Sequence, residues 1–389
     1  MSKYALINGK IYTEQQVIEH GYVVINDGRI EQIASGKYDG MLETVDAQGQ
    51  HVLPGFIDIH IHGGYGADAM DASYEGLKHL AENLLSEGTT SFLATTMTQS
   101  DENIIKALAN IAKYHQEQQQ GTAAEIVGIH LEGPFISEHK VGAQNPQYVQ
   151  RPSVDKIQQF QQSAQGLIKV ITFAPEVEGA QETLAALHHD IIFSIGHTVA
   201  DFDQTNEAVT CGAKHITHLY NAATGFEHRK PGVFGAAWTN SGLNTEVIVD
   251  GIHSHPTAVK LAYQLKGHEH FYLITDAMRA KGMSDGEYDL GGQNVIVKGS
   301  EARLASGSLA GSILKMNDGL KNVMTFTGQG LDQVWRVASL NQAIALKIDD
   351  QKGSIAVGKD ADLVIVDDDI QVLTTIKAGC MHRYRSLGE

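Results

Sequence analysis

The sequence predicts a (β/α)8 barrel of the TIM type, together with a small β domain built from both ends of the chain. Three observations support this fold class. Eight short apolar runs alternate with amphipathic stretches through the middle of the chain, and strand-and-turn patterns occupy both ends. The 389 residues, 42% of them hydrophobic, are enough for one large domain and a smaller one.

The two ends of the chain have similar β patterns. YALINGKIYT, GYVVINDGRIEQIA and TVDAQGQHVLP are apolar stretches broken by Asn-Gly, Asp-Gly and Gln-Gly turn signals. GSIAVGKDADLVIVDDD, at 353–369, resembles them. We therefore expect residues 1–53 and 346–389 to pair into one small domain, and residues 54–345 to form the barrel.

The middle of the chain alternates between strand and helix patterns. Amphipathic helical stretches, such as 73–88 and 200–213, separate most of the apolar runs. The apolar runs lie at 56–62, 89–96, 125–132, 168–176, 190–197, 214–220, 245–253 and 271–277. A doubly wound open sheet is the alternative fold, but no glycine-rich phosphate loop follows the first run, which favours the barrel.

The composition argues against several classes of function. A formal net charge of −17 repels nucleic acid and anionic membranes, although one small anion could still bind at a local basic site. The two cysteines, Cys211 and Cys380, form no CxxC metal motif. The N-terminus lacks the apolar core of a signal peptide, and no apolar run approaches transmembrane length. We expect a cytoplasmic protein that binds neither nucleic acid nor membrane.

Histidines and carboxylates stand where several of the predicted strands end. His60 and His62 are two residues apart at the end of the first run, so the period of a strand turns both to one side. The carboxyl ends of barrel strands meet at one rim, where such barrels carry their chemistry. The groups at these ends are His60, His62, Glu132, His197, His218 and Asp276.

Each of these groups taken alone has a structural explanation. A single histidine is more often a core or surface residue than a ligand, and Asp276 could cap the following helix. Their joint placement on one rim indicates a metal-dependent active site instead. Neutral imidazole and carboxylate suit zinc or iron, and no thiolate is required.

Several motifs also carry a resemblance to a known family. PGFIDIHIHG, HLEGPF, GHT, THLYNA and TDAMRAKG are similar to motifs of the amidohydrolase superfamily, and GAQNP, RKPG and VDGIH resemble more specifically its amino-sugar phosphate deacetylases. The likeness covers essentially the whole chain. It implies a distorted TIM barrel with a small β-sandwich domain, and hydrolysis of N-acetylglucosamine 6-phosphate to glucosamine 6-phosphate and acetate.

The resemblance assigns the metal ligands. Glu132, His197 and His218 match the family's principal metal site, and His60 and His62 match a second position that some members have lost. Because both histidines are present here, the resemblance implies one or two divalent transition metal ions, with Glu132 bridging two. Zinc is the expected metal, and iron and manganese are the alternatives.

The same resemblance makes Asp276 the catalytic aspartate. A bound metal lowers the pKa of water towards about 7. Asp276 would accept the proton of the attacking water and then hand it to the departing amine, first as a general base and then as a general acid.

Gln144, which follows Ala143, is a departure from the family pattern. Members commonly have a histidine here that polarises the acetyl carbonyl. A glutamine amide can donate a neutral hydrogen bond to that carbonyl, but it cannot become a cation. The other interpretation is that Gln144 is a loop residue and the metal alone polarises the carbonyl.

The substrate phosphate needs local donors in so acidic a protein. The resemblance assigns it to Arg229, His253 and the backbone around Asn221 and Ala222, where an arginine fork would supply charge. Family members are usually homodimers, and Arg229 would then reach across the interface. The residues that resemble the family's sugar-contacting loop are Leu309, Ala310 and Gly311.

Two other functions stay open from the sequence. Another enzyme of the superfamily, acting on the galactosamine epimer or on a cyclic amide, would use the same metal site, although Arg229 and His253 favour a phosphorylated substrate. A catalytically inactive scaffold is of a different class. Such proteins typically lose metal ligands, whereas all six metal and catalytic positions are filled here.

Overall fold

The computed structural model describes residues 3–385. In this part of the chain, the strands are β1 (Tyr4–Tyr12), β2 (Val17–Asn26), β3 (Arg29–Ser35), β4 (Glu43–Asp46), β5 (His51–Pro54), β6 (Phe56–Ile61), β7 (Gly63–Gly64), β8 (Ala67–Asp68), β9 (Thr89–Thr96), β10 (Glu125–Glu132), β11 (Ile168–Phe173), β12 (Ile192–Ile195), β13 (His215–Ile216), β14 (Asn244–Ile248), β15 (Phe271–Ile274), β16 (Gly286–Leu290), β17 (Gln293–Lys298), β18 (Glu301–Leu304), β19 (Leu363–Val366), β20 (Val372–Lys377) and β21 (Cys380–Arg383). The α-helices are α1 (Tyr74–Leu84), α2 (Asp101–Glu117), α3 (Val154–Ser163), α4 (Ala180–Leu187), α5 (Phe202–Thr210), α6 (Gly232–Thr239), α7 (Pro256–Lys266), α8 (Met316–Thr327), α9 (Leu331–Val334) and α10 (Leu340–Ala345).

Eight parallel strands form the barrel, and this confirms the predicted fold class. The strands follow one another around it in the order β6-β9-β10-β11-β12-β13-β14-β15. The first and last strands meet through a bridge between Ile61 and Ala277. Below that bridge the buried Asp58 carboxylate accepts hydrogen bonds from the Thr275 hydroxyl, at 2.5 Å, and from the His60 amide, at 3.2 Å. The barrel is therefore nearly closed at the strands that carry His60 and Asp276.

The helices begin where the sequence supplies capping side chains. Ser73, Ser100 and Ser153 each accept a hydrogen bond from a backbone N–H in the first turn of the helix that follows. Helix α1 buries Leu77, Leu80 and Leu84 on one side and leaves polar residues on the other, as its pattern predicts. Within residues 3–385, the structure contains no helix of the length and apolarity that crossing a membrane requires.

Several barrel strands end earlier than the apolar runs suggest. The runs at 190–197, 214–220, 245–253 and 271–277 correspond to strands that end at Ile195, Ile216, Ile248 and Ile274. Among the residues just beyond these ends, His197, His218 and Asp276 have left-handed backbone conformations. A strand cannot continue through a positive φ, so these side chains lie on loops immediately after the strands.

A three-stranded antiparallel sheet, β16–β18, follows the eighth barrel strand and has no counterpart in the sequence prediction. It packs against the barrel rim through Leu290 and Val295, which share a small apolar core with Met97 and Met278. The Gln293 amide also donates a hydrogen bond to the carbonyl of Ala143. This sheet therefore covers one side of the rim where the predicted site residues lie.

The small domain is a separate sheet that joins both ends of the chain. Its strand order is β21-β20-β19-β5-β1-β2-β3, with β4 paired to β1. Strand β5 runs parallel to β1 and antiparallel to β19. An apolar core of its own includes Leu6, Val23, Val52 and Ile365, which come from both ends of the chain.

A buried charge network connects this sheet to the barrel. The ammonium groups of Lys352 and Lys377 both contact Glu125 of β10, at 2.8 and 3.0 Å, and both contact Asp362, at 3.0 and 2.8 Å. Burial raises the pKa of Asp362, but the two lysines outweigh it and lower that pKa to about 2. Since Lys377 is only 3% exposed, removal of one partner leaves uncompensated charge in the interior.

Replacing Lys377 by Met should destabilise the protein by about 3 kcal/mol, because Asp362 and Glu125 then share a single cation in a buried site. The matched control is Lys321→Met, which breaks an exposed pair with Asp369 and should change the free energy of unfolding much less, because water screens exposed pairs. Urea denaturation of the metal-free variants measures both. Equal effects of the two substitutions would contradict a structural role of the network.

The same network should make this destabilisation depend on pH. The pKa of Asp362 is depressed in the folded state, so its contribution is complete above about pH 4 and is lost as the pH falls through about 2. The difference in free energy of unfolding between wild type and Lys377→Met should therefore shrink between about pH 4 and pH 2. A difference that stays constant over this range would mean that Asp362 does not stabilise Lys377.

Candidate active site

The predicted site residues come from five barrel strands or the loops directly after them. His60 lies in β6 and His62 one residue beyond it, while Glu132 is the last residue of β10. His197, His218 and Asp276 each follow a strand end, with φ of 47°, 28° and 47°. A residue other than glycine in this region costs about 1–3 kcal/mol, and such strain clusters at functional sites.

The carboxylate of Glu132 lies at the centre of this group. Its Oε1 atom is 3.2 Å from His197 Nε2 and 3.1 Å from His218 Nε2. Its Oε2 atom is 3.0 Å from His62 Nε2. His60 Nε2 is also 3.5 Å from Oε1, so all four imidazoles converge on this one carboxylate.

Asp276 lies close to the two histidines at the end of the first barrel strand. Its Oδ1 atom is 3.1 Å from His62 Nε2 and 3.4 Å from His60 Nε2. Its side chain is 11% exposed, whereas those of His60 and His62 are 0% and 2% exposed. Asp276 is therefore the member of this set that is most open to the cavity above it.

The geometry and chemistry of these donors fit divalent metal ions. One group of possible ligands is His60, His62, Glu132 and Asp276, a second is Glu132, His197 and His218, and Glu132 is common to both. Ligands about 2.0–2.2 Å from a tetrahedral ion lie about 3.4 Å from one another, close to the 3.0–3.5 Å separations found here. The buried Nε2 atom of His60 has no hydrogen-bond partner among the described residues, as a free ligand atom would not.

The electrostatics of the site favour positive charge. Burial lowers the pKa of His62, but hydrogen bonds to Asp276 and Glu132 outweigh it and raise this pKa to about 10. Conversely, burial raises the pKa of Asp276, but His60 and His62 lower it to about 2. Ionised carboxylates packed against imidazoles in a dry site provide the environment that a divalent cation needs.

In three of these histidines, the Nδ1 atom contacts an oxygen atom outside the group of metal donors. His197 Nδ1 lies 2.9 Å from the carbonyl of Lys140, and His62 Nδ1 lies 3.2 Å from the carbonyl of Thr95. His60 Nδ1 lies 2.9 Å from a carboxylate oxygen of Glu246. Contacts of this kind fix ring orientation and leave Nε2 directed at the centre of the site.

A cavity of about 470 Å³ opens above these groups. It is deep enough to reach His62, Glu132 and Asp276 at one end, and Leu290 of the three-stranded sheet forms part of its wall. The residues expected from the resemblance to contact substrate that do line it are Ala143, Gln144, Asn221, Ala222, His253, Leu309 and Gly311.

Two expected substrate-binding residues lie elsewhere. Ala310 is fully buried, and its amide donates a hydrogen bond to the carbonyl of Ala302. Arg229 is exposed and lines a neighbouring cavity of about 700 Å³. Lys140 lines both cavities, so it lies between Arg229 and the main cavity.

Gln144 is held by hydrogen bonds on both sides of its amide. Its oxygen accepts from the backbone N–H of Thr98, at 2.8 Å, which fixes the direction of the NH2 group. The NH2 group donates to Glu132 Oε2, also at 2.8 Å. The amide nitrogen also donates to Met97 Sδ, at 3.7 Å. In this arrangement Gln144 orients the central carboxylate, and a bond to a substrate carbonyl would replace the contact with Met97.

Among the polar residues that line the cavity, His253 is one that is suited to an anion. His253 Nδ1 lies 2.7 Å from Asp250 Oδ2, so its other ring nitrogen is the one available to the cavity. Burial raises the pKa of Asp250, but His253 outweighs it and lowers this pKa. Asn221 folds its amide towards the carbonyls of His218 and Leu219.

Sequence reasoning missed buried polar residues behind the site. Asp58 closes the barrel, and Glu246 contacts His60. His130 bridges the carbonyl of Ile59 and the hydroxyl of Thr172. The signal that could have identified them is a charged or imidazole residue inside an otherwise apolar strand, as in FIDIHIH, GIHLE and TEVIV.

Comparison with known families identifies two matching regions. Residues 51–381 match the model of the amidohydrolase family, and residues 3–52 match the NagA composite domain. The first match spans the barrel and the C-terminal strands, and the second spans strands β1–β4.

Individual relatives match over nearly the whole chain. The chain is 48% identical to an N-acetylglucosamine-6-phosphate deacetylase of Bacillus subtilis (strain 168), over 95% of this chain and 94% of the relative. It is 35% identical to an N-acetylgalactosamine-6-phosphate deacetylase of Escherichia coli O157:H7, over 93% and 95%. Among solved structures, an Asp-to-Ala mutant of N-acetyl-D-glucosamine-6-phosphate deacetylase from Mycobacterium smegmatis, in complex with N-acetyl-D-glucosamine-6-phosphate, matches with a TM-score of 0.92 and 30% identity, over 98% and 99% of the two chains.

Proposed function

Because the chain belongs to the amidohydrolase family, we infer its reaction from the relatives and from the chemistry of its own site. It is a metal-dependent hydrolase that converts N-acetylglucosamine 6-phosphate to glucosamine 6-phosphate and acetate. The observation that carries this function is the convergence of Asp276 and two pairs of histidines on Glu132, at the deep end of the cavity.

We propose zinc as the metal, since imidazole and carboxylate donors without thiolate suit it well; iron and manganese fit the same donors. Glu132, His197 and His218 would hold one ion. His60 and His62, with Glu132 shared between the two groups, would hold a second. When bound, such an ion lowers the pKa of water and polarises the acetyl carbonyl.

The proposed roles of the chain's own residues follow from their positions. Asp276 lies at the deep end of the cavity and is ionised, so it can accept a proton from the attacking water at Oδ1 or Oδ2. Expulsion of an amine requires a proton on nitrogen, and Asp276 would return it there. Gln144 would hold Glu132 through one N–H and donate a neutral hydrogen bond to the acetyl oxygen in place of its contact with Met97.

At the other end of the substrate, we propose that His253 and the backbone around Asn221 and Ala222 receive the phosphate. The sugar would lie against Ala143, Leu309 and Gly311, with Ala310 supporting that loop from beneath.

Arg229 is exposed beside the main cavity rather than within it. This position supports a homodimer in which the arginine compensates the phosphate charge at the interface. Cys211 and Cys380 are both free, which suits a reducing compartment such as the cytoplasm.

The test is acetate release from N-acetylglucosamine 6-phosphate, with the metal content measured on the same sample. Activity should disappear when a chelator removes the metal and return when zinc is supplied. No activity with zinc, iron or manganese would overturn the function and favour an inactive scaffold.

The galacto epimer is the second candidate substrate, because one relative that is 35% identical carries that specificity in its name. Both epimers should be assayed side by side at equal concentration. We expect a higher kcat/KM with the gluco epimer, and a higher value with the galacto epimer would reverse the assignment.

A further inference from the structure

A buried glutamate contacts one histidine of the second group of metal donors. Glu246 lies within β14, and its side chain is 0% exposed. Its Oε2 atom is 2.9 Å from His60 Nδ1. Its Oε1 atom has no hydrogen-bond partner among the described residues. His60 is therefore the side chain to which the structure ties this carboxylate.

This contact determines which nitrogen of His60 faces the site. A carboxylate accepts hydrogen bonds, so it favours a proton on Nδ1 of His60. The Nε2 atom then carries the lone pair, and it lies 3.4 Å from Asp276 and 3.5 Å from Glu132. The contact thus orients the ring with Nε2 towards the other donors, as a metal ligand requires.

A separate metal site behind His60 does not fit the same contacts. Glu246, His60 and His130 are close enough to one another to be considered as ligands. However, His130 Nδ1 is 2.9 Å from the carbonyl of Ile59, and His130 Nε2 is 2.7 Å from the hydroxyl of Thr172. Both of its ring nitrogens are already engaged, so Glu246 is left to act through His60.

A purely structural role also explains Glu246 poorly. A buried carboxylate oxygen without a hydrogen-bond partner is destabilising, and an apolar residue of similar volume is often at least as stabilising. Moreover, His197 and His62 are held by the neutral carbonyls of Lys140 and Thr95. His60 alone among these three histidines is held by a carboxylate. A carboxylate behind a histidine raises the basicity of the ligand more than a carbonyl does.

We propose that Glu246 is a positioning residue that selectively strengthens the second metal position, the one formed by His60, His62, Glu132 and Asp276. The inference rests on the proposed metal-dependent function. It makes binding of the second ion, rather than the first, depend on a residue that contacts neither ion.

The experiment compares wild type with Glu246→Leu, Glu246→Gln and the control Thr245→Val. Thr245 is the preceding residue of the same strand, and its hydroxyl bonds to the carbonyl of His270, away from His60. Each full-length protein is stripped of metal and titrated with zinc against a competing chelator. The number of bound ions and both dissociation constants are measured, and metal-free thermal unfolding monitors the fold.

Wild type should bind two ions. In Glu246→Leu the second ion should bind about 10–100-fold more weakly, while the first keeps its affinity within about threefold. Glu246→Gln keeps an oxygen that can accept from Nδ1 but loses the charge, so it should show an intermediate loss. Thr245→Val should match wild type.

The inference is overturned if Glu246→Leu and Glu246→Gln bind both ions as tightly as wild type. It is also overturned if the two ions weaken equally, which a general structural defect would cause, or if wild type binds only one. A wild-type protein that binds no ion at all would instead overturn the proposed function.

Discussion

Replacing Asp276 by Asn should lower kcat for acetate release by about 10²–10⁴-fold, the usual contribution of a general acid–base group. An asparagine is nearly the same size and keeps one side-chain oxygen, so it should disturb the cavity little. However, it can neither accept the proton of the attacking water nor return it to the departing amine. We therefore expect the loss to fall on kcat rather than on substrate binding.

Three measurements on Asp276→Asn check this expectation: steady-state kinetics, metal content, and substrate binding followed by calorimetry. The ion at the first position should bind as in wild type, since Glu132, His197 and His218 are unchanged, and any loss of metal should fall on the second position, to which Asp276 belongs. The control is Asp349→Asn, which changes an exposed carboxylate and should leave kcat unaltered. A rate for Asp276→Asn within threefold of wild type would remove Asp276 from the mechanism.

Replacing His197 by Ala should remove most of the activity by a different route. His197 Nε2 lies 3.2 Å from Glu132 Oε1 and 3.1 Å from His218 Nε2, so it belongs to the three-residue donor group. Loss of a direct ligand should weaken metal binding by more than the 10–100-fold typical of an outer partner, that is by at least about 100-fold. Activity should fall in proportion to occupancy and recover partly at high metal concentration.

Elemental analysis of His197→Ala, before and after dialysis against a weak chelator, distinguishes this outcome from a folding defect. The matched control is His189→Ala, because His189 is an exposed histidine outside the site. We expect the control to retain both metal and activity. The assignment of His197 as a ligand would be wrong if its replacement left metal content and turnover unchanged.

The barrel could be predicted from the sequence because its signals are local. Each apolar run such as TTSFLATT is bounded by polar or glycine-containing segments, and TTSFLATT and EIVGIHLE coincide with β9 and β10. The histidines and acids at the ends of the runs pointed to one rim because parallel strands share a direction. The small sheet was suggested by similar patterns at the two ends.

Other features depend on contacts between distant residues. The left-handed backbone at His197, His218 and Asp276 is stabilised by the surrounding fold. Aspartate and histidine adopt it more often than most residues, but residue type alone does not specify it. The pairing of Glu246 with His60 joins residues 186 positions apart. The direction of the Gln144 amide is set by the backbone of Thr98, which a residue type alone does not reveal.

The sheet shared by the two ends of the chain has a consequence for biosynthesis. Strand β5 pairs with β19, so the segments made first on the ribosome complete their sheet only after the last strands emerge. Until then Leu6, Val23 and Val52 lack apolar partners such as Ile365, and one edge of β5 stays unpaired. Nascent chains that stall or terminate before residue 363 should therefore expose a strand edge with unpaired backbone groups, which is prone to aggregation. We expect chaperones or proteases to recognise such chains, even when the whole barrel has been synthesised.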